Sequence, residues 1–127
     1  MGKEAVSTAQ VLVNNTVVPI VPNTLTFNDG FGEYKVRSAS SGKGQSEVVV
    51  SENAEMKIGK VKFEVFNTAE NIEIIRQWKA AFMSNAVEVL SADFQRTFTN
   101  AVLVNDVEVK IGADATIALE WESDPAS

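Results

Sequence analysis

The sequence predicts a mainly β fold: two packed antiparallel sheets, a sandwich or barrel, with one flanking α-helix and a long protruding β-hairpin. Three observations point there. Roughly eight to ten short runs rich in Val, Ile, Thr and Phe recur between turn residues. One stretch, "NTAENIEIIRQWKAAFMSN", has apolar residues at three- and four-residue steps. Residues 30–51, "GFGEYKVRSASSGKGQSEVVVS", read as two strand arms around a tip without an apolar residue. With 127 residues, 45% of them apolar, the chain is expected to be a single domain with a real core. Residues 1–9, small and polar, are expected to be a loosely held arm.

The elements follow in order. "QVLVNNTVVPIV" is two β-rich runs about the turn-compatible pair Asn14-Asn15, and Pro19 and Pro22 confine it to an edge or to irregular structure. "TLTF" alternates as a short strand and stops at Asn28-Asp29-Gly30. The hairpin arm, residues 32–51, comes next; arms of about eight residues reach roughly 26 Å at 3.3 Å per residue. A ribbon of that kind is marginal alone and leaves unpaired edges. A partner subunit covering its base would resolve both problems; the bland alternative is that it folds back over its own core. In "EMKIGKVKFEVF", Met56 and Ile58 lie on one parity, and Val61, Phe63 and Val65 on the other. The slip at Gly59-Lys60 predicts a β-bulge that curves the strand.

In the helix, Ile72, Ile75, Trp78 and Phe82 form one apolar stripe for packing on the core. Asn67 or Thr68 caps its start, with Glu70 placed as in a capping box. "AVEVLSA", "RTFTNAVLVND" and "DVEVKI" read as further strands, residues 112–114 as a turn, and "ATIALEWES" as the closing strand. There Ile117, Leu119 and Trp121 share one face, and Thr116, Ala118, Glu120 and Glu122 the other, wet one.

Composition narrows the function. With no cysteine and no histidine, thiolate metal sites, the commonest zinc ligand and the usual Ser/His and Cys/His pairs are absent. Catalysis, metal and cofactor binding are therefore not expected. "SGKGQS" lacks the spacing of a phosphate loop, no DxDxDG pattern offers a calcium loop, and Glu120 and Glu122 read as a solvated face rather than an acid/base pair. "MGKEAVSTAQ" has no apolar signal core, and no run approaches the eighteen or so apolar residues of a membrane span, so a soluble product is expected. Net charge is −6 and uneven: residues 1–64 carry seven bases and seven acids, residues 65–127 four bases and ten acids. The excess lies largely in the C-terminal hairpin, with Asp106, Glu108, Asp114, Glu120 and Glu122 as an acidic surface. Tight nucleic-acid binding, which needs Lys and Arg on phosphates, is not expected.

The run "VPNTLTFNDGFGEYKVRSASSGKGQSEVVVSENAEMKIGKVKFEV", the helix with "RQWK", and the close "RTFTNAVLVNDVEVKIGADATIALEWESDP" resemble, in their order and spacing, the tail tube proteins of contractile-tailed bacteriophages. The resemblance covers about residues 10–125 and contains no catalytic signature. It implies six copies in a ring, rings stacked into a hollow tube inside a sheath, and DNA passing through a negatively charged channel without specific binding. Sheath, baseplate and tail terminator proteins would be the partners, and the virion tail, assembled in the bacterial cytoplasm, the location. It implies that the hairpin stacks rings. Tyr34, Val36, Val48, Val49 and Val50 would then bury its base on the neighbour, and Lys35, Arg37 and Lys43 would pair with acids there. The tube of a type VI secretion system or tailocin is the alternative with the same fold. A monomeric carbohydrate-binding β-sandwich, which would need an exposed Trp, is the alternative from another class.

Overall fold

The computed structural model describes residues 8–40, 46–53 and 57–127, with side chains outside 33–56. Nine strands and one helix occur among them: β1 (Gln10–Val13), β2 (Thr16–Val18), β3 (Thr26–Asn28), β4 (Glu33–Ser40), β5 (Ser46–Asn53), β6 (Gly59–Phe66), α1 (Ala69–Ala81), β7 (Asn85–Leu90), β8 (Gln95–Leu103) and β9 (Thr116–Ser123). The mainly β fold with a single helix and a separate two-stranded hairpin is as expected. Seven strands form one continuous antiparallel sheet, in the order β2-β1-β7-β8-β9-β6-β3, open at both edges, so the two expected sheets are joined through β8.

The continuity comes from β8. Its residues 95–101 pair with β7, and Val102 and Leu103 pair with β9. Between the pairs Val87↔Phe98 and Asn85↔Ala101 the register shifts, β8 carrying the extra residue, and Asn100 there has a φ of 52°. This bulge bends β8 so that one strand serves both halves of the sheet. Buried residues alternate along β6, β7 and β9. Val11, Val13, Val87, Val89 and Phe98 from one half join Val61, Phe63, Val65, Ile117, Leu119 and Trp121 from the other in a single core. The two halves touch directly: a Cβ on Gly59 would lie 2.7 Å from Cδ1 of Phe98.

The bulge expected at Gly59-Lys60 is corrected by the register. β6 pairs with β9 without interruption from Gly59↔Ser123 to Phe66↔Thr116. The parity slip marks the start of the strand; Met56 lies outside the described residues. Glycine is required at 59 because an added Cβ would sit 2.6 Å from the Asp124 carbonyl. The strand over "DVEVKI" is also absent. Residues 104–115 form an irregular loop: β8 pairs with β9 only through Val102 and Leu103, and beyond them the side chain of Asn105 takes up the Ala118 carbonyl and the Glu120 N–H. The Asn14-Asn15 turn has φ of 53° and 68°, the positive pair that a tight two-residue hairpin demands.

Thr68 caps the helix, its Oγ1 accepting the Asn71 N–H at 3.1 Å. Ile75 and Trp78 are buried, Ile72 and Ile74 packed against the core, and Trp78 meets Trp121 edge-on with centroids 5.5 Å apart. Phe82, expected on this stripe, is corrected: it is 61% exposed and lies past the last turn, at φ 52° and ψ −106°. A helical stripe ends where the helix ends, and this backbone turns the residue off it. Phe82→Gly should therefore stabilise the protein slightly, by up to about 1 kcal/mol, by releasing a conformation that L side chains resist. Denaturant midpoints of the two forms check this.

Candidate assembly surfaces

Among the described residues no group of three or more metal-ligating side chains converges. Both indoles are inside, Trp78 at 5% and Trp121 at 1% exposure, so the exposed Trp that a sugar-stacking module needs is absent. What the fold leaves unfinished is at its edges and ends.

β2 and β3 are the two open sheet edges. β2 carries Val17, half exposed, on its outer face. Beside these edges an open groove of about 650 Å³ is lined by Ala9, Ile20, Pro22, Leu25, Phe27 and Phe94. It is the unsealed mouth of the core: Phe27 stacks tilted on Phe94 at 5.6 Å and edge-on to Phe98 at 6.3 Å, yet remains partly exposed. Arg96 lies over the Phe94 ring at 5.5 Å and is fixed by Asp29 at 3.1 Å.

The hairpin arm is a regular ribbon. β4 and β5 pair over all eight positions, from Glu33↔Asn53 to Ser40↔Ser46. Tyr34, Lys35, Val36 and Arg37 lie on β4, and Val48, Val49 and Val50 on β5; Lys43 lies outside the described residues. The chain leaves for the arm at Gly30 and returns at Ile58-Gly59, and these points touch: a Cβ on Gly30 would lie 2.7 Å from the Gly59 amide nitrogen.

The acidic residues divide into two groups. Glu120 and Glu122 lie on the outer face of β9, but the register sets them opposite Lys62 and Lys60 of β6. Lys62 Nζ reaches Glu120 at 3.7 Å, both well exposed, a contact of small energetic weight that still cancels charge. That face therefore carries one carboxylate more than it has ammonium groups, Glu64, whose Oε1 accepts from Thr116 at 2.6 Å. Asp106, Glu108 and Asp114 are instead exposed on the 104–115 loop. The acidic residues of the C-terminal region thus lie partly on a strand pair, where Glu120 and Glu122 face lysines, and partly on a separate exposed loop.

That loop is pinned by three side chains, one of them its own. Asn67 Nδ2 donates to the carbonyls of Lys110, at 2.7 Å, and Gly112, at 3.1 Å. Lys79 Nζ, in the last turn of α1, donates to the carbonyls of Leu103 and Asn105 at 2.8 and 2.6 Å. Asn105 itself bridges to β9, donating to the Ala118 carbonyl and accepting the Glu120 N–H. So held, the loop displays Val109, 41% exposed, and Ile111, 90% exposed. Sequence reasoning missed both the groove and this display. The alternation Val107-Val109-Ile111 looks like a strand, and only the absence of a pairing partner shows otherwise.

No family model matches the chain, and no curated protein is similar to it. Solved structures are. The chain is similar to a protein of the sheath/tube terminator of an extracellular contractile injection system, PVC, in the extended state, with a TM-score of 0.65 and 11% identity, over 100% of this chain and 96% of that one. It is similar to a chain of the PVC sheath-tube complex at a TM-score of 0.63 and 11% identity, over 97% and 88%. A protein of the tube-terminating cap of the anti-feeding prophage follows at 0.58 and 10%, over 95% and 87%. At these identities what is shared is the fold, and it is shared end to end.

Proposed function

We propose that this chain, whose fold is that of the tube and terminator proteins of contractile injection systems, is a structural subunit of a tail tube. Six copies form a ring, rings stack into a hollow tube, and genomic DNA is delivered through it. The protein works by self-assembly, with no catalytic step and no cofactor. Sheath, baseplate and terminator proteins are its partners, and the virion tail its place.

The observation that carries this reading is the open sheet. A seven-stranded sheet with bare edges at β2 and β3, a core that gapes beside them, and a ribbon that pairs with no other strand among the described residues are incomplete as a single copy. Identical neighbours arranged in a closed ring complete all three without leaving a free edge. Electrostatics supports the passage of DNA. The outer faces of both sheet halves carry few net charges, Glu88 on one and Glu64 in excess on the other, so either as a channel wall would be weakly negative. Such a wall offers phosphate no adhesive contact. A second reading, the tube or terminator of a phage-derived injection or secretion machine, is favoured by the same three solved structures; genes for portal and capsid, or for a secretion ATPase, beside this one separate the two.

The purified protein, concentrated and viewed by negative-stain electron microscopy, is expected to show six-fold rings or tubes. A sample that stays strictly monomeric at every concentration overturns the proposal. Val17→Lys, at the β2 edge, should leave the fold within about 0.5 kcal/mol of the parent yet suppress rings.

A further inference from the structure

On the side away from β6, only the second half of β9 has a strand beside it: β8 pairs with Trp121 and Glu122 and goes no further. Glu64 of β6 lies opposite Ala118, yet its carbonyl accepts from the Val21 N–H at 2.8 Å and its own N–H donates to Thr24. Both groups point away from β9. By the alternation of an antiparallel ladder, Thr116, Ala118 and Glu120 therefore turn their backbone groups away from β6. At Glu120 that side is taken: the carbonyl accepts from Val104 at 2.9 Å, and the N–H donates to Asn105 Oδ1 at 3.0 Å. At Ala118, Asn105 Nδ2 reaches the carbonyl at 2.9 Å. One side chain here stands in for a strand, and its reach ends there. Among the described residues nothing meets the Ala118 N–H or the Thr116 carbonyl. A cleft of about 270 Å³ runs beside this open stretch. The loop lines it with Asp106, Glu108 and Lys110, the sheet with Thr116, Ala118 and Glu64.

We infer that this cleft is a strand slot, which takes a short extended segment of a partner protein bearing Lys or Arg. An unpaired strand edge is a template for one more strand, and pairing with Thr116 and Ala118 supplies the hydrogen bonds. Charge chooses the occupant. Three carboxylates against one ammonium line the cleft, which favours a basic segment and repels an acidic one. Ala118 is exposed and small, so the edge is open to approach. The loop wall is already held by Asn67 and Lys79, and docking orders little that is not ordered beforehand. The slot uses neither the arm nor the edges at β2 and β3, so it stands apart from the tube reading.

The test uses the purified full chain and a synthetic probe, the end-blocked peptide Val-Lys-Val-Lys-Val. Amide hydrogen exchange followed by NMR should find the Ala118 N–H fast in the free protein and that of Leu119, which faces β6, slow. Adding the peptide should slow Ala118 by about tenfold or more. The same peptide N-methylated throughout, which keeps its charge but cannot pair, should bind at least about tenfold more weakly, as should one with Glu in place of Lys. The protein is unaltered in these arms, so folding is not in question. Asp106→Asn with Glu108→Gln, both on the exposed loop, should weaken the lysine peptide in the same way. An Ala118 amide already protected in the dilute free protein, or unaffected by peptide up to ~1 mM, overturns the slot. So does equal binding of the N-methylated form, which reports charge attraction alone. Protection that appears without peptide as the protein is concentrated makes a second copy the occupant and overturns the basic partner. Rings and tubes under the electron microscope are unaffected by any of the first three results.

Discussion

Gly30→Val is expected to cost more than about 4 kcal/mol and to abolish ordered assembly. Two independent effects add. Gly30 has a φ of +87°, a conformation that costs an L residue about 1–2 kcal/mol and a β-branched one more. Its missing Cβ would also stand 2.7 Å from the Gly59 nitrogen and 2.8 Å from the Ile58 carbonyl carbon, both backbone, so no side chain can swing aside. Either the two roots of the arm part or the start of β6 shifts. The second route takes Gly59 from its place against Phe98 and Asp124, and so opens the core. Gly112→Ala is the matched control. The nearest atom to its Cβ would be the Ala115 Cβ at 4.0 Å, and stability should stay within about 0.5 kcal/mol. Thermal unfolding compares the three proteins, and electron microscopy reads assembly. A Gly30→Val protein as stable as the parent would show that the arm base is not a close backbone crossing.

Asn85→Ala should destabilise by about 3 kcal/mol or more without touching any proposed contact surface. Asn85 is the buried polar side chain among the described residues, 2% exposed. Its Nδ2 donates to the carbonyls of Trp78 and Phe82, at 3.0 and 3.2 Å, and its Oδ1 accepts from Asn14 Nδ2 at 3.0 Å. Asn14 in turn accepts the Ala86 N–H at 2.9 Å. One side chain thus ties the end of α1, the start of β7 and the β1-β2 turn. Truncation leaves helix-end carbonyls without a partner, and buried groups stripped of theirs cost about 1–3 kcal/mol each. Asn85→Leu, which refills the volume but not the bonds, should rescue little. If leucine restored the denaturant midpoint, packing rather than hydrogen bonding would be the role of this position.

Several features were legible before any fold was known, and for local reasons. The Asn14-Asn15 hairpin, the Thr68 cap and the turn after Ile111 depend on backbone preferences of single residues. The buried parity of β6 and β9 depends on a period of two, which one apolar face imposes. The misplaced bulge is instructive. Phe98, Ala101 and Leu103 also change parity, at Thr99-Asn100, so the true signal was present in "TFTNAVL". It could not be told from the false one at Gly59 because a parity slip marks either an extra paired residue or the end of pairing. Only the partner strand distinguishes them. Phe82 failed for a similar reason: periodicity continues past the residue where hydrogen bonding stops.

By itself the sequence determined the class of fold, the elements with a clean period, the lack of histidine- or thiol-based chemistry, and a long two-armed hairpin. Tertiary structure alone decided that the two expected sheets are joined through β8, and that the glutamates of β9 face lysines while the acids of the 104–115 loop are exposed beside them. These are facts of register and of neighbours distant in the chain. A strand's own residues encode which face is buried, but not which strand lies beside it, and it is the neighbour that sets charge balance, curvature and the edges left open.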